Sequence, residues 1–70
     1  MRLSARNQLT GTVAAVDEGS VMAVVKVDLS GGQQITASVT REAVSELGLS
    51  AGSPVTVVVK STDVLLGVED

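Results

Sequence analysis

The chain has 70 residues, a formal net charge of −3, and neither cysteine nor histidine. These numbers exclude a second domain, disulfides, the common zinc ligand sets and every Ser-His-Asp or Cys-His nucleophile, so we expect a binding protein and not an enzyme. The negative charge and the absence of Phe, Tyr and Trp argue against nucleic acid as a partner.

Five strands and one short helix are predicted in chain order. The second strand is the clearest, because residues 21–29 alternate between an apolar and a mixed face with a period of two. Two glycines in segment 30–33 predict an antiparallel hairpin with the third strand. Thr40 is a capping residue and Gly48 a C-terminal stop for about two helical turns. The predicted strands are 9–17, 21–29, 34–39, 55–60 and 64–68, and the predicted helix is 40–48.

The sequence also predicts which faces of the third and fourth strands are buried. In the third strand the hydroxyl side chains of Thr36, Ser38 and Thr40 form the face expected to meet water. In the fourth strand the apolar run 57–59 has no polar alternate residue, which predicts a strand covered on both faces.

This order of elements, with the helix between the third and fourth strands, is typical of an OB-like five-stranded β-barrel. We therefore predict an all-β protein with a single domain over residues 1–70. The alternative is an open antiparallel sheet that a partner chain completes. A chain this short buries only about 60% of the surface of its unfolded form, and its apolar side chains are small, so we expect self-association.

No membrane contact is predicted, because no apolar run reaches the roughly 18 residues of a membrane span. The N-terminal residues 1–4 are not followed by the apolar region of a secretion signal. We therefore expect a cytoplasmic protein.

Two short segments carry basic and hydroxyl side chains together at strand ends. Residues 4–6 (Ser-Ala-Arg) precede the first predicted strand, and residues 60–62 (Lys-Ser-Thr) end the fourth. If the barrel brings them together, the resulting donors and positive charges suit a small oxyanion. The alternative is that Arg6 and Lys60 are solvated charges and the hydroxyls are turn formers, which on composition alone is the more common role.

The motif at residues 4–11, Ser-Ala-Arg-Asn-Gln-Leu-Thr-Gly, resembles the S-A-R-N-Q-L-x-G opening of molbindins. These are small Mop-type molybdate-binding proteins made of a single Mop/TOBE domain. The resemblance extends in order and spacing over nearly the whole chain, through Val39-Thr40, Leu47-Gly48-Leu49, Lys60-Ser61, Val64 and Gly67.

The resemblance implies a cytoplasmic protein that binds molybdate, and also tungstate, for molybdenum storage and homeostasis. It implies a homohexamer, a trimer of dimers, with the oxyanions held between subunits. No organic cofactor is implied, and no protein atom ligates the metal directly. The implied ligand residues are Ser4, Ala5, Arg6, Lys60 and Ser61, with Thr40 and the backbone near Ala43 coming from a neighbouring subunit. Some relatives have a serine where this chain has Ala43, so this chain lacks that hydroxyl donor.

Two other functions remain as alternatives. Similar domains occur fused to molybdate transport ATPases and regulators, which would make this chain an oxyanion-sensing regulatory or interaction module. Because the sequence runs only from Met1 to Asp70, we expect the stand-alone form. The third possibility is a purely structural oligomer whose basic residues serve only solubility.

Overall fold

Four antiparallel strands form one curled sheet, with the strand order β3-β2-β1-β4. The structure is a computed structural model that describes residues 1–70. No helix in it has the length and apolar character that crossing a membrane requires. In chain order the elements are β1 (Asn7–Glu18), β2 (Met22–Leu29), β3 (Gln34–Thr40), the helix α1 (Arg41–Leu47), β4 (Pro54–Val59) and a 3-10 turn (Ser61–Asp63).

The first four predicted strands and the helix are confirmed, with bounds that differ by one or two residues. The largest difference is at the start of β1, which begins at Asn7 because Asn7 pairs with Val59 and Gln8 with Val58 of β4. Ladder hydrogen bonds join backbone groups, so the polar side chains of Asn7 and Gln8 do not end the strand. The predicted hairpin between β2 and β3 is also confirmed, with Gly32 at φ 95° in its turn.

The fifth predicted strand, 64–68, is wrong for the isolated chain, since residues 64–70 belong to no strand. The predicted five-stranded barrel is therefore a four-stranded half-barrel. Val64 has extended backbone, at φ −89° and ψ 127°, as its β-branched side chain favours. However, a segment with high β propensity forms a strand only where the edge of another strand is available for pairing. Residues 64–70, here called the C-terminal arm, pair with neither β3 nor β4.

The core lies on the concave face of the sheet and is small. Its buried residues are Val13, Ala23, Val25, Val27 and Val44. The predicted alternation in β2 is confirmed, and so is the exposure of the hydroxyl face of β3. The prediction that β4 is covered on both faces is wrong for the single chain, because Val58 is 41% exposed on the face that no other element covers.

Helix α1 is capped at both ends, as the sequence predicts. The Thr40 hydroxyl accepts a hydrogen bond from the Ala43 N–H at 3.0 Å, and Gly48 adopts the left-handed conformation at φ 64°. Between the caps, Val44 is buried against the core, so that α1 covers part of the concave face.

Gly11 lies where β1 is in register with both of its neighbours, Leu29 of β2 and Val55 of β4. A Cβ atom added at Gly11 would lie 2.8 Å from both the Asp28 carbonyl oxygen and the Val27 Cγ1. The close approach of two backbones at this position therefore requires glycine.

We expect Gly11→Ala to lower the free energy of unfolding by about 1–3 kcal/mol, because the backbone of β2 must move to admit the methyl group. The matched control is Gly31→Ala, since a Cβ at Gly31 meets nothing within 4 Å. Urea denaturation of both variants checks this, and equal midpoints for the two would contradict it.

Candidate anion-binding site

The start of β1 and the end of β4 place two distant segments side by side. Asn7 and Val59 form the terminal pair of the β1–β4 ladder, so residues before Asn7 and after Val59 leave the sheet at the same point. Together these segments line a pocket of about 380 Å³, here called the strand-end pocket. Its lining residues are Ser4, Ala5, Arg6, Lys60, Ser61 and Thr62.

Five of the seven ligand residues expected from the sequence are thus brought together in one chain. Thr62 was not among them, although it lies beside Lys60 and Ser61 and carries a third hydroxyl. The signal for Thr62 was its place in a segment that combines basic and hydroxyl side chains.

The strand-end pocket is rich in unused hydrogen-bond donors. The backbone N–H groups of Ser4, Ala5, Arg6 and Lys60 donate to no backbone acceptor. The carbonyl oxygens of Lys60 and Ser61, in contrast, accept hydrogen bonds from Asp63 N–H at 2.9 Å and Val64 N–H at 3.3 Å. The 3-10 turn therefore uses the carbonyl acceptors of Lys60 and Ser61 and leaves the backbone N–H donors of the pocket free.

The two positive charges of the strand-end pocket are not neutralised within the chain. Neither Arg6 nor Lys60 forms a salt bridge, and the one ion pair, at 4.0 Å, joins Arg41 to Glu18. A guanidinium, an ammonium, three hydroxyls and free N–H groups are the donor set that an oxyanion needs. The arrangement can therefore hold a small anion that accepts hydrogen bonds on every side.

Thr40 lies elsewhere in the chain, at the other end of the sheet. It pairs with Met22, beside the turn that follows Glu18, whereas the strand-end pocket adjoins Asn7. The 12 residues of β1 run between these positions, and Thr40 does not line the strand-end pocket, so the single chain does not bring Thr40 together with Arg6 and Lys60. Thr40 lines a separate surface pocket of about 510 Å³ with Ser20, Val21, Arg41, Glu42 and Ser45.

The hydroxyl of Thr40 and the N–H of Ala43 are bonded to each other in the helix cap. Ala43 itself does not line the pocket that contains Thr40. Any anion that used the Ala43 N–H would have to compete with this cap.

Residues 3–66 match the TOBE domain family. The chain belongs to the TOBE family. This TOBE domain is 44% identical over 69 residues to the "Probable molybdenum-pterin-binding protein" of Haemophilus influenzae, covering 99% of this chain and 100% of that protein.

Two solved structures are similar to this TOBE domain in both sequence and fold. MopII from Clostridium pasteurianum superposes with a TM-score of 0.90 and 43% identity, covering 96% of this chain and 100% of MopII. The cytoplasmic molybdate-binding protein ModG, solved with molybdate bound, gives a TM-score of 0.94 and 52% identity. That match covers 99% of this chain and 49% of ModG, so this TOBE domain spans about half of ModG's length.

We expect Thr40→Val to lower the free energy of unfolding by about 1 kcal/mol, because the Ala43 N–H loses its acceptor in the helix cap. Thr40→Ser keeps a hydroxyl at the same place and is expected to unfold like the wild type. Thermal unfolding of the three proteins checks this, and a Val variant as stable as the Ser variant would show that the cap contributes nothing.

Proposed function

We propose that this chain binds molybdate, and tungstate alike, as a single dianion in the strand-end pocket. The observation that carries the proposal is the convergence of Arg6 and Lys60, both free of carboxylate partners, in a pocket rich in free donors. The names of the relatives support molybdenum as the element, because MopII, ModG and the Haemophilus influenzae protein are all similar over nearly the whole chain.

The donor set favours a fully ionised tetrahedral anion. Such a dianion accepts hydrogen bonds in all directions and donates none, and two positive charges offset the cost of removing it from water. Phosphate near neutral pH carries a proton, which only a hydroxyl oxygen of the pocket could accept, so phosphate uses this donor-rich site less well than a fully ionised dianion does. Sulfate has the same donor demand as molybdate and differs mainly in size, so cavity dimensions must separate these two.

We propose the inorganic oxyanion, and not a molybdenum–pterin compound, as the ligand. A pterin ring presents flat apolar faces and needs a stacking or apolar surface, whereas only Ala5 of the six lining residues is apolar. The chain has no Phe, Tyr or Trp to stack on such a ring. The role that fits this chemistry is binding for molybdenum storage and homeostasis, in the cytoplasm as for ModG, with no catalytic step.

We further propose that the bound anion lies between subunits. The strand-end pocket, at about 380 Å³, is open and far larger than one small ion, since a water molecule takes up about 30 Å³ in the liquid. A wall from a neighbouring chain would close it and exclude water, which strengthens every charge-assisted hydrogen bond inside. In a homohexamer, six chains of charge −3 carry a total of −18.

The open sheet supports the same assembly. A groove of about 220 Å³ on the concave face is lined by ten apolar residues and Thr56. In the C-terminal arm, Leu65, Leu66 and Val68 are 92–94% exposed and apolar. We propose that the arm of a second copy lies along the open sheet as the missing fifth strand, because it supplies both the apolar side chains and the backbone partners that an open edge needs.

We expect the wild type to bind molybdate in isothermal titration, and Arg6→Ala or Lys60→Ala to weaken binding by about 2–5 kcal/mol. The reason is that each variant removes a charge-assisted partner from a desolvated dianion. Sulfate and phosphate titrations run in parallel measure discrimination.

Lys26→Ala is the control for lost positive charge, because Lys26 bonds to Thr36 on the outer face of the sheet, away from the strand-end pocket. It is expected to bind like the wild type. The absence of heat from molybdate and tungstate with the wild type would refute the function and leave the structural oligomer. Equal weakening by Lys26→Ala would mean that only overall charge matters.

We expect Leu66→Glu to shift the sedimentation profile towards smaller species, because a charge would enter the proposed contact between chains. Leu66 is 94% exposed in the single chain, so the substitution costs nothing there. Leu66→Ile keeps the apolar character and should assemble like the wild type. An unchanged profile for Leu66→Glu would refute the role of the arm.

A further inference from the structure

A side chain outside the strand-end pocket holds part of its wall. The Gln8 side-chain amide donates a hydrogen bond from Nε2 to the carbonyl oxygen of Ala5, at 3.1 Å. Ala5 lines the strand-end pocket, whereas Gln8 does not. Gln8 is the second residue of β1 and its backbone is in register with Val58 of β4, so the amide is attached to a fixed part of the sheet.

This hydrogen bond determines the direction of the next N–H group along the chain. The Ala5–Arg6 peptide bond is trans, as are all peptide bonds in the chain, and a trans peptide carries its C=O and N–H on opposite sides. With the Ala5 carbonyl directed at Gln8, the Arg6 N–H points the opposite way. That N–H donates to no backbone acceptor.

We propose that Gln8 is a positioning residue of the anion site: by binding the Ala5 carbonyl, it presents the Arg6 N–H to the bound oxyanion. This inference rests on the proposed function of the strand-end pocket. The reversed peptide orientation would turn a carbonyl lone pair towards a dianion, which replaces an attraction by a repulsion. Gln8 thus keeps a donor in the pocket and an acceptor out of it without touching the ligand.

A purely structural role for the same hydrogen bond predicts a different result. If the Gln8 side chain only stabilised the start of β1, its loss would lower the unfolding temperature and leave the orientation of the Arg6 N–H unchanged. Anion affinity and the amide signal of Arg6 therefore separate the two roles.

The test is Gln8→Met, which keeps the length and volume of the side chain and removes its donor. The matched control is Gln34→Met, because Gln34 is also exposed and also donates from Nε2, to Asp28 Oδ1 at 3.0 Å, but lies outside the strand-end pocket. Each protein is titrated with molybdate, unfolded thermally, and followed by the ¹⁵N–¹H signal of the Arg6 amide during the titration.

We expect Gln8→Met to bind molybdate roughly 3- to 10-fold more weakly than the wild type, the range that corresponds to one net hydrogen bond. The molybdate-induced shift of the Arg6 amide should shrink in this variant, while the unfolding temperature stays equal to that of Gln34→Met. Gln8→Glu is a second variant that keeps the shape and replaces the donor with an acceptor. It is expected to weaken binding further.

Wild-type affinity in Gln8→Met would overturn the positioning role. A lower unfolding temperature with an undiminished Arg6 shift would also overturn it, and would assign Gln8 to strand stability. These results are distinct from failure of the proposed function, in which the wild type itself shows neither heat nor an Arg6 shift with molybdate.

Discussion

The antiparallel pairing of β1 with β4 sets both the packing of the core and the position of the candidate anion site. Its terminal pair, Asn7 with Val59, makes the chain enter and leave the sheet at one point. Two segments more than fifty residues apart in sequence thereby form one pocket. A slip of one residue in this register would turn every inward side chain of β4 outward, so the core and the strand-end pocket share a single determinant.

The electrostatics of the pocket are local. The chain as a whole carries a charge of −3, which repels anions at a distance, while Arg6 and Lys60 act only over the short range that salt leaves unscreened. Backbone N–H groups complete the donor set, and because their residues directly adjoin the paired ends of β1 and β4, they lose little entropy when an anion binds. Gln8 extends the same principle, since it orders a peptide group before any ligand arrives.

Two apolar parts of the single chain are left uncovered, the groove on the concave face and the C-terminal arm. Only five residues of the chain are buried, so much apolar surface stays in contact with solvent. The arm follows directly after the residues that form one wall of the strand-end pocket. In the proposed oligomer, the C-terminal arm would contact the apolar groove of another chain, while the residues just before the arm form a wall of the anion site. Anion binding and the stability of the oligomer would therefore be coupled through this one segment.

Patterns among near neighbours in the sequence were enough to predict the alternation in β2, the glycine turn before β3, the caps of α1, and the basic and hydroxyl character of both strand-end segments. Other features became visible only in the folded chain: residues 64–70 find no edge in their own chain, Val58 stays exposed, Thr40 lines a different pocket from Arg6, and Gln8 reaches Ala5. The physical reason is that extended conformation and capping are properties of a short segment. Pairing and burial, in contrast, depend on which edges and faces the rest of the chain brings within reach.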